Sequence, residues 1–404
     1  DTMLGSALVD MYARCGLLLK AREVLEQLPV RDVASWCALI SGYTQQDQGH
    51  EALECFERME NEGISPNSVT FACILSACGI MGDIDKGKQI HYEIVKRGLL
   101  EKKIMLGTAL VDMYVKCGML TKAWQVLEEL PVRNVVSWNA IIAGCVQHEQ
   151  GHEALNCYER MQREGIFGDE VTFTCILRTC GNIRTPDIGK QIHEEVMHRG
   201  FLNKNIVLGT ALVDMYAKCG MLANAAHVLE GLPARDTVSW NALIAGYTHE
   251  GQGHEALESF SLMRREGLSP NEVTFTCILS ACSCIATIDK GTQIHNEIVN
   301  AGLLGTNIAL GNALVDMYAK CGLLTRAHQV LKELPLRDVV SWSALIAGYA
   351  QKGLDSEAMS CFEHMQREGL APNELTFLSL LNAFSHSGKL EEAEKYYENM
   401  SIEY

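Results

Sequence analysis

The chain has 404 residues, of which 48% are hydrophobic and 21% charged, and its formal net charge is −16. This composition is that of a folded chain and excludes an intrinsically disordered one. No run of about eighteen apolar residues occurs, so no membrane-spanning helix is expected. The acidic balance makes nucleic acid a poor default partner, because phosphate contacts need Lys and Arg.

Repetition dominates the predicted elements from the first one onward. Segments of closely similar sequence start at residues 2, 104, 206 and 308, a constant step of 102 residues. Four of the 5 tryptophans keep the same step. Self-similarity at a fixed period is typical of repeat architectures, and it overrides the two or three globular domains that the length alone would suggest.

Each period divides into three related parts of 31, 35 and 36 residues, represented by 206–236, 237–271 and 272–307. All three have one outline. A short entry leads into an apolar helix, a turn at glycine follows, and a second amphipathic helix ends in a loop. The alternation of three lengths is therefore an alternation of three kinds of helical hairpin.

Helical spacing supports this outline within the 31-residue part. Leu208, Leu212 and Met215 recur on one face of a 3.6-residue period. Gly220 is expected to end the first helix, because glycine adopts positive φ without strain, and Pro233 to stop the second. Such a hairpin cannot bury its apolar faces alone but can do so against similar neighbours. The sequence thus predicts an all-α solenoid.

Twelve units are predicted, the last of them incomplete, with about ten to fourteen residues in each helix. The chain opens inside a repeat, and no terminal unit has a polar outer face, so we expect an interior fragment of one longer solenoid. The units start at Thr2, Val33, Ser68, Ile104, Val135, Glu170, Ile206, Thr237, Glu272, Ile308, Val339 and Glu374.

Most of the 16 cysteines recur with the period among apolar helix positions. Free cysteine behaves there as a small hydrophobic residue, so we expect buried, reduced thiols in a reducing compartment. The three series are Cys15, Cys117, Cys219 and Cys321; Cys73, Cys175 and Cys277; and Cys78, Cys180 and Cys282.

Three motifs carry a resemblance to a known family. VSWNALIAGY at 238–247, GTALVDMYAKCG at 209–220 and TFTCILSAC at 274–282 resemble pentatricopeptide repeat proteins of the plant PLS subclass. In that subclass P-type, long and short repeats alternate, and the 35-, 36- and 31-residue parts are similar to them in that order. The resemblance covers the whole chain and implies a right-handed superhelix.

The resemblance also implies a function. Members of this subclass are typically chloroplast or mitochondrial factors that bind single-stranded RNA and select cytidines for conversion to uridine. A C-terminal domain, or one supplied in trans, carries out the deamination, so this chain is not expected to be an enzyme. By the same resemblance, multiple organellar RNA editing factor proteins are partners that dock on the long repeats.

The residues themselves offer no deaminase site. A zinc deaminase needs H-x-E together with P-C-x-x-C. H-x-E occurs at His91, His193 and His295, but no two cysteines are three residues apart. Because these histidines recur with the period, we expect them to be surface residues of a helix. We expect no metal and no other cofactor.

The fifth and last positions of each repeat are the candidate recognition residues. The fifth lies in the first turns of the first helix and the last lies just before the next repeat, so the two should converge at one edge of the inner surface. Asp presents only acceptors, which suit the N–H groups of guanine and uracil, whereas Asn presents a donor and an acceptor, as adenine and cytosine require. The resemblance adds that Thr or Ser at the fifth position favours purines and Asn favours pyrimidines.

The long repeats are expected to recognise bases weakly, and the predicted target is roughly 5′-G-n-n-A-U-n-G-Y-n-U-A-3′. The pairs are Ser6/Asp32 for guanine, Cys37/Asn67 for a base left open, Thr108/Asn134 for adenine, Asn139/Asp169 for uracil, Thr210/Asp236 for guanine, Asn241/Asn271 for cytosine or uracil, Asn312/Asp338 for uracil and Ser343/Asn373 for adenine.

Two further series accompany these pairs. Second positions are apolar, and the resemblance implies that they sandwich the bases; packing at the entry of the first helix is the other interpretation. A basic residue near the end of the first helix of each short repeat is a candidate for phosphate contact, although a cation also suits a helix C-terminus. The sandwich candidates are Val136, Val207, Val238, Val273 and Val340, and the phosphate candidates are Arg14, Lys116, Lys218 and Lys320.

Two alternatives remain open at this point. Asp and Asn favour loops before helices, so turn chemistry alone could restrict the last position. An acidic helical solenoid also suits a tetratricopeptide-like scaffold that binds peptides. The tetratricopeptide repeat keeps one length of about 34 residues, however, whereas the lengths here alternate.

Overall fold

The computed structural model describes residues 2–100, 103–203, 205–305 and 307–387, and the regular structure in these ranges is entirely helical. Contacts between residues group the chain into two compact units, 1–188 and 189–404. The expected second helix of the last repeat lies beyond residue 387 and so outside the described residues. The prediction of an all-α chain of helical hairpins is confirmed.

In the first unit, odd-numbered helices are the first members of hairpins and even-numbered helices the second. These helices are α1 (Thr2–Arg14), α2 (Leu18–Gln27), α3 (Val33–Gln45), α4 (Gly49–Asn61), α5 (Ser68–Met81), α6 (Ile84–Lys96), α7 (Ile104–Lys116), α8 (Leu120–Glu129), α9 (Val135–Gln147), α10 (Gly151–Arg163) and α11 (Glu170–Asn182).

Helix α12 (Pro186–His198) runs across the division, and the same alternation continues in the second unit, with short 3₁₀ helices at Phe201–Asn203 and Leu303–Gly305. The remaining helices are α13 (Ile206–Lys218), α14 (Leu222–Gly231), α15 (Thr237–His249), α16 (Gly253–Arg265), α17 (Glu272–Cys284), α18 (Ile288–Asn300), α19 (Ile308–Lys320), α20 (Leu324–Glu333), α21 (Val339–Gln351), α22 (Asp355–Arg367) and α23 (Glu374–Ser387).

First helices form the centre of each unit. In the first unit α3 contacts α1, α4 and α5, and in the second α15 contacts α13, α16 and α17. Trp138 and Ile142 of α9 are fully buried in this way. Second helices bury a single face: Met161 of α10 is inside, while Glu153 and Glu159 are exposed. The amphipathic pattern of the sequence is the cause, since each second helix has only one apolar stripe to cover.

Glycine permits the close approach of consecutive first helices. A Cβ at Gly246 of α15 would lie 2.7 Å from the Cβ of Ala217 in α13, so a side chain there would push the helices apart. Gly220, expected to end α13, has φ of +72°. Its left-handed backbone turns the chain into α14, as the sequence predicts.

A salt bridge ties each of the four 35-residue hairpins to its own entry loop, and an indole hydrogen bond joins it in three of them. Arg235 contacts Glu266 at 2.7 Å, and Trp240 donates its indole N–H to the same carboxylate at 2.9 Å. The equivalent pair Arg337–Glu368 lies at 3.1 Å. The buried indole N–H of Trp240 thus has an acceptor, whereas that of Trp138 has none among the described residues.

The 16 cysteines are free thiols, and most are buried or half-buried. Cys15 differs from the expectation because it is exposed. Its equivalent Cys117 contacts the carbonyl of Cys78, in the preceding hairpin, at 3.8 Å. Contact with the preceding hairpin is thus what covers Cys117.

Candidate nucleic-acid interface

The last residue of a repeat is the N-cap of the next repeat's first helix. Asp236 accepts a hydrogen bond from the backbone N–H of Ser239 at 2.8 Å, and the N–H of Asp236 donates to the Ser239 hydroxyl at 3.0 Å. Such a capping box satisfies two backbone donors that the helix leaves open. Boxes of this kind start at Asp32, Asn67, Asn134, Asp169, Asp236, Asn271 and Asp338.

Asn373 makes the same contacts with Thr376, and Asn205 and Asn307 accept from the N–H groups of Leu208 and Leu310. Capping therefore accounts for a short polar side chain at this position, and Asp and Asn are nearly equivalent as caps. It does not account for the choice between them. That choice alters only the second polar atom of the side chain, the one that the cap does not use.

In six of the eight candidate pairs among the described residues, the fifth residue hydrogen bonds to the last. Its side chain reaches across from one first helix to the cap of the next. The contacts are Ser6 Oγ–Asp32 at 3.1 Å, Cys37 Sγ–Asn67 at 3.5 Å, Asn139 Nδ2–Asp169 at 2.8 Å, Asn241 Nδ2–Asn271 at 3.0 Å, Asn312 Nδ2–Asp338 at 3.0 Å and Ser343 Oγ–Asn373 at 3.5 Å.

The two threonine pairs are arranged differently. The Thr108 hydroxyl donates to the carbonyl of Ile104 at 3.3 Å in its own helix. The Thr210 hydroxyl is buried and has no hydrogen-bond partner among the described residues. In the long repeats, Thr174 and Thr276 also donate to their own helix, at 2.7 and 2.8 Å. A hydroxyl committed to the backbone has no proton left for another acceptor.

Two of the candidate carboxylates have perturbed pKa values. Burial opposes ionisation of Asp32, but hydrogen bonds from Ser35 and Ser6 outweigh it and lower its pKa. Burial acts in the same way on Asp169, and the donors from Thr172 and Asn139 again lower its pKa. Both carboxyl groups are therefore ionised at neutral pH and can only accept hydrogen bonds.

The second-position valines are exposed rather than packed into the helix entry. Val136, Val207, Val238, Val273 and Val340 show 53–59% of their surface to solvent. Apolar side chains recurring at one exposed position mark a contact surface more than a core. They lie one turn before the fifth residues, on the same face of each first helix.

The basic series lies on that face too, but each cation already has a partner. Lys320 and Asp316 pair at 2.8 Å, one helical turn apart. The same contact occurs in the other short repeats, so a phosphate would compete with a carboxylate for each cation. The pairs are Arg14–Asp10 at 2.9 Å, Lys116–Asp112 at 2.9 Å and Lys218–Asp214 at 2.8 Å.

The histidines of H-x-E are not the surface residues that periodicity suggested. His295 is buried, and its Nδ1 lies 3.0 Å from the Tyr318 hydroxyl of the next hairpin. His91 and His193 meet Tyr114 and Tyr216 at 2.9 Å in the same way. Burial lowers the pKa of all three histidines. They join neighbouring hairpins as neutral rings.

Within the described residues no group of three His, Cys, Asp or Glu side chains is placed to hold a metal ion. No helix in those ranges is both long and apolar enough to cross a membrane. The candidate surface consists of polar pairs, exposed valines and paired charges.

The type of repeat is identified by comparing the sequence with models of known protein families. The model described as PPR repeat family matches residues 31–79, 133–182, 235–284 and 337–386, and that described as PPR repeat matches 6–33, 69–99, 108–135, 312–339 and 375–402. The chain belongs to the pentatricopeptide repeat family. These matches cover most of its length.

Pentatricopeptide repeat relatives occur in Arabidopsis thaliana. The chain is 38% identical to the pentatricopeptide repeat-containing protein At5g27110 over 100% of its own length and 58% of that protein. It is 34% identical to the mitochondrial protein At2g03380, covering 100% of this chain and 58% of that one. For the chloroplastic protein At4g18520 the identity is 35%, over 95% and 61%. The chain thus spans about three fifths of the length of these relatives.

Solved pentatricopeptide repeat structures share the fold. The crystal structure of PPR10 in complex with an 18-nt psaJ RNA element matches with a TM-score of 0.83 and 20% identity, over 98% of this chain and 59% of that one. PPR10 from maize matches with a TM-score of 0.64 and 19% identity, over 100% and 64%. At 19–20% identity, this similarity establishes the fold alone.

Proposed function

We propose that this pentatricopeptide repeat chain binds single-stranded RNA sequence-specifically, with one base facing each repeat. The observation that carries the proposal is the direct contact between fifth and last side chains, such as Asn139–Asp169 at 2.8 Å. This contact sets two polar groups side by side, one turn from an exposed valine. A base stacked on the valine would bring its edge to the pair. PPR10, which shares this fold, is in complex with an RNA element, and this supports the proposal.

The base assignments follow from the side-chain atoms of the last residue that make no capping hydrogen bond. In Asp169 and Asp338 a carboxylate oxygen remains an acceptor for the N3–H of uracil, and the neighbouring Asn amide supplies a donor for a uracil carbonyl oxygen. Where the last residue is Asn, as in the Ser343/Asn373 pair, the cap uses Oδ1 and leaves the Nδ2 amide as a donor for a ring nitrogen of adenine. The proposed target remains 5′-G-n-n-A-U-n-G-Y-n-U-A-3′.

Electrostatics supports affinity only weakly. The net charge is −16, and each cation of the basic series is paired with a carboxylate. Binding should therefore depend on stacking and base-edge hydrogen bonds, with few counterions released. The expected salt dependence is correspondingly shallow.

We further propose that the array is part of a longer organellar editing factor of the PLS subclass and selects a cytidine a few nucleotides 3′ of the bound sequence. Relatives named as mitochondrial and chloroplastic support an organellar site. The array itself would be a binding module, and deamination would belong to another domain or protein. The domain boundaries proposed are those of the twelve repeats in one solenoid.

Multiple organellar RNA editing factor proteins are the proposed partners of the long repeats. An exposed apolar residue recurs on the second helix of each complete long repeat, at Val95, Met197 and Val299. Exposed apolar side chains at one fixed position suit a protein contact repeated from unit to unit. Substituting Asp for Val299 should weaken binding of such a partner, measured by calorimetry, and leave RNA binding unchanged.

A gel-shift experiment tests the main proposal. An RNA with the predicted eleven-nucleotide sequence should bind at least tenfold more tightly than the same nucleotides in scrambled order. A double variant, Asn139→Ala with Asn312→Ala, serves as a matched control because it removes two recognition side chains but no cap. Equal affinity for both RNAs would overturn sequence-specific binding.

A further inference from the structure

The capping hydroxyls at the third position of the first helices have two distinct geometries. After short repeats this residue is Ser, and its hydroxyl donates to the carbonyl of its own cap residue. The contacts are Ser35–Asp32 at 2.9 Å, Ser137–Asn134 at 2.8 Å, Ser239–Asp236 at 2.9 Å and Ser341–Asp338 at 2.9 Å.

After P repeats the third residue is Thr, and its hydroxyl lies instead against the fifth residue of the preceding repeat. It also remains the acceptor for the N–H of its own cap, so the box is kept. The contacts are Thr70–Cys37 at 2.8 Å, Thr172–Asn139 at 2.6 Å, Thr274–Asn241 at 2.7 Å and Thr376–Ser343 at 2.7 Å.

The difference separates two repeats that carry the same recognition pair. Asn139 donates from Nδ2 to Asp169 and accepts at Oδ1 from Thr172, so both ends of its amide are held. Asn312 donates from Nδ2 to Asp338, but its Oδ1 is buried without a hydrogen-bond partner in the described part of the chain. The Asn139 amide is therefore held by two hydrogen bonds and the Asn312 amide by one.

We propose that the threonine hydroxyl is a positioning residue for base recognition. By occupying Oδ1, Thr172 leaves the Asn139 amide only a donor to present, next to the acceptor of Asp169. The P repeat should therefore distinguish uracil from cytosine more sharply than the short repeat with Asn312 and Asp338. This inference rests on the proposed function and deepens it.

The side-chain chemistry explains why Thr and Ser differ. The β-branched Thr has a restricted χ1, and its methyl group is buried with it, which directs the hydroxyl to the neighbouring repeat. Ser has no such methyl and rotates freely to its local carbonyl, the contact that it makes in each of the four serine boxes described above. The methyl group thus turns the hydroxyl away from the cap carbonyl and towards side-chain oxygens. The Thr172 hydroxyl lies 2.6 Å from Asn139 Oδ1 and 2.9 Å from Asp169 Oδ1.

A reciprocal exchange tests the inference. Thr172→Ser keeps the oxygen that caps Asp169 but frees the hydroxyl to rotate, and Ser341→Thr does the reverse beside Asn312. Affinities are measured for RNAs with U or C at the fifth or the tenth letter of the target. We expect Thr172→Ser to lower U-over-C discrimination at the fifth letter about fivefold. Ser341→Thr should raise U-over-C discrimination at the tenth letter by a similar factor.

The ratio of affinities for the U and C RNAs makes the test independent of folding. Both RNAs are bound by the same protein, so a general loss of stability cancels, and the letter opposite the unaltered repeat serves as an internal control. If the wild-type chain prefers U at both letters and neither exchange changes the ratio, the positioning role is wrong. If the wild-type chain shows no preference at either letter, the proposed base recognition itself fails.

Discussion

Asp236→Asn should separate the capping role of the last position of a repeat from its proposed role in base recognition. As a cap, Asp236 accepts from Ser239 N–H at 2.8 Å, and Asn134 accepts from Ser137 N–H at 2.9 Å in an equivalent box. The amide can therefore replace the carboxylate as a cap, and the free energy of unfolding should change by less than about 0.5 kcal/mol. Any larger change in RNA binding must come from the other atom of the side chain.

For the base, the exchange is not conservative. The carboxylate of Asp236 suits the N–H donors of guanine, whereas an amide suits the donor and acceptor of adenine. A matched pair of base-edge hydrogen bonds discriminates by about 1–3 kcal/mol, or about 5- to 150-fold. We expect Asp236→Asn to shift the preference at the seventh letter of the target from G to A by a factor in this range.

The shift is measured by fluorescence anisotropy at one salt concentration, with two RNAs that carry G or A at the seventh letter of the target. Asn134→Asp is the reciprocal control. It should change the preferred base at the fourth letter from A to G, because Thr108 and Thr210 are equivalent fifth residues. A thermal melt of each variant checks that the cap is retained. Equal weakening on both RNAs would show that Asp236 acts only as a cap, and the reasoning from base edges would be wrong.

Three further outcomes are expected. Val238→Ala should weaken RNA binding about fivefold while leaving the melting temperature nearly unchanged, since the valine is exposed and stacks only on a ligand. Asp316→Asn should release Lys320 for phosphate, raising affinity and steepening the slope of log K against log salt by about 0.7. Burial lowers the pKa of His295, so the unfolded chain binds its proton first, and the free energy of unfolding should fall as pH drops below about 6.5.

Each of these has its own check. For Val238, a large drop in melting temperature would mean that the side chain supports the helix entry instead. For Asp316, an unchanged salt slope would place Lys320 away from the phosphates. For His295, urea unfolding between pH 7.5 and 5.5 gives the slope, and His295→Gln should flatten it; an equal slope in both proteins would assign the acid sensitivity to other groups.

Periodicity was sufficient to predict the hairpins. The spacing of Leu208 and Leu212 and the position of Gly220 each reflect interactions within one helix or one turn, which a sequence shows directly. The ion pair of Asp316 with Lys320 was equally accessible, because it depends only on a four-residue step. The lysine was considered alone, so its pairing with the carboxylate was missed.

Contacts between repeats were not predictable in this way. His295 lies on the second helix of one hairpin but is buried by Tyr318 of the next, so its burial depends on stacking rather than on its own helix. Thr172 could have been noted as the third residue of a capping box. Its contact with Asn139, 33 residues earlier, needed coordinates. That the fifth and last residues recognise bases stays a prediction.

If base recognition is as proposed, one residue serves both as a helix cap and as part of a recognition pair, and this limits which substitutions could change the target sequence. A side chain at that position must first start a helix, and only a few short polar side chains do this well. Asp and Asn are the two that differ in hydrogen-bonding polarity while matching in shape. Exchange between Asp and Asn should therefore keep the start of the helix intact. Replacement by a residue that cannot cap would cost about 0.5–2 kcal/mol of stability in addition to any change in base preference.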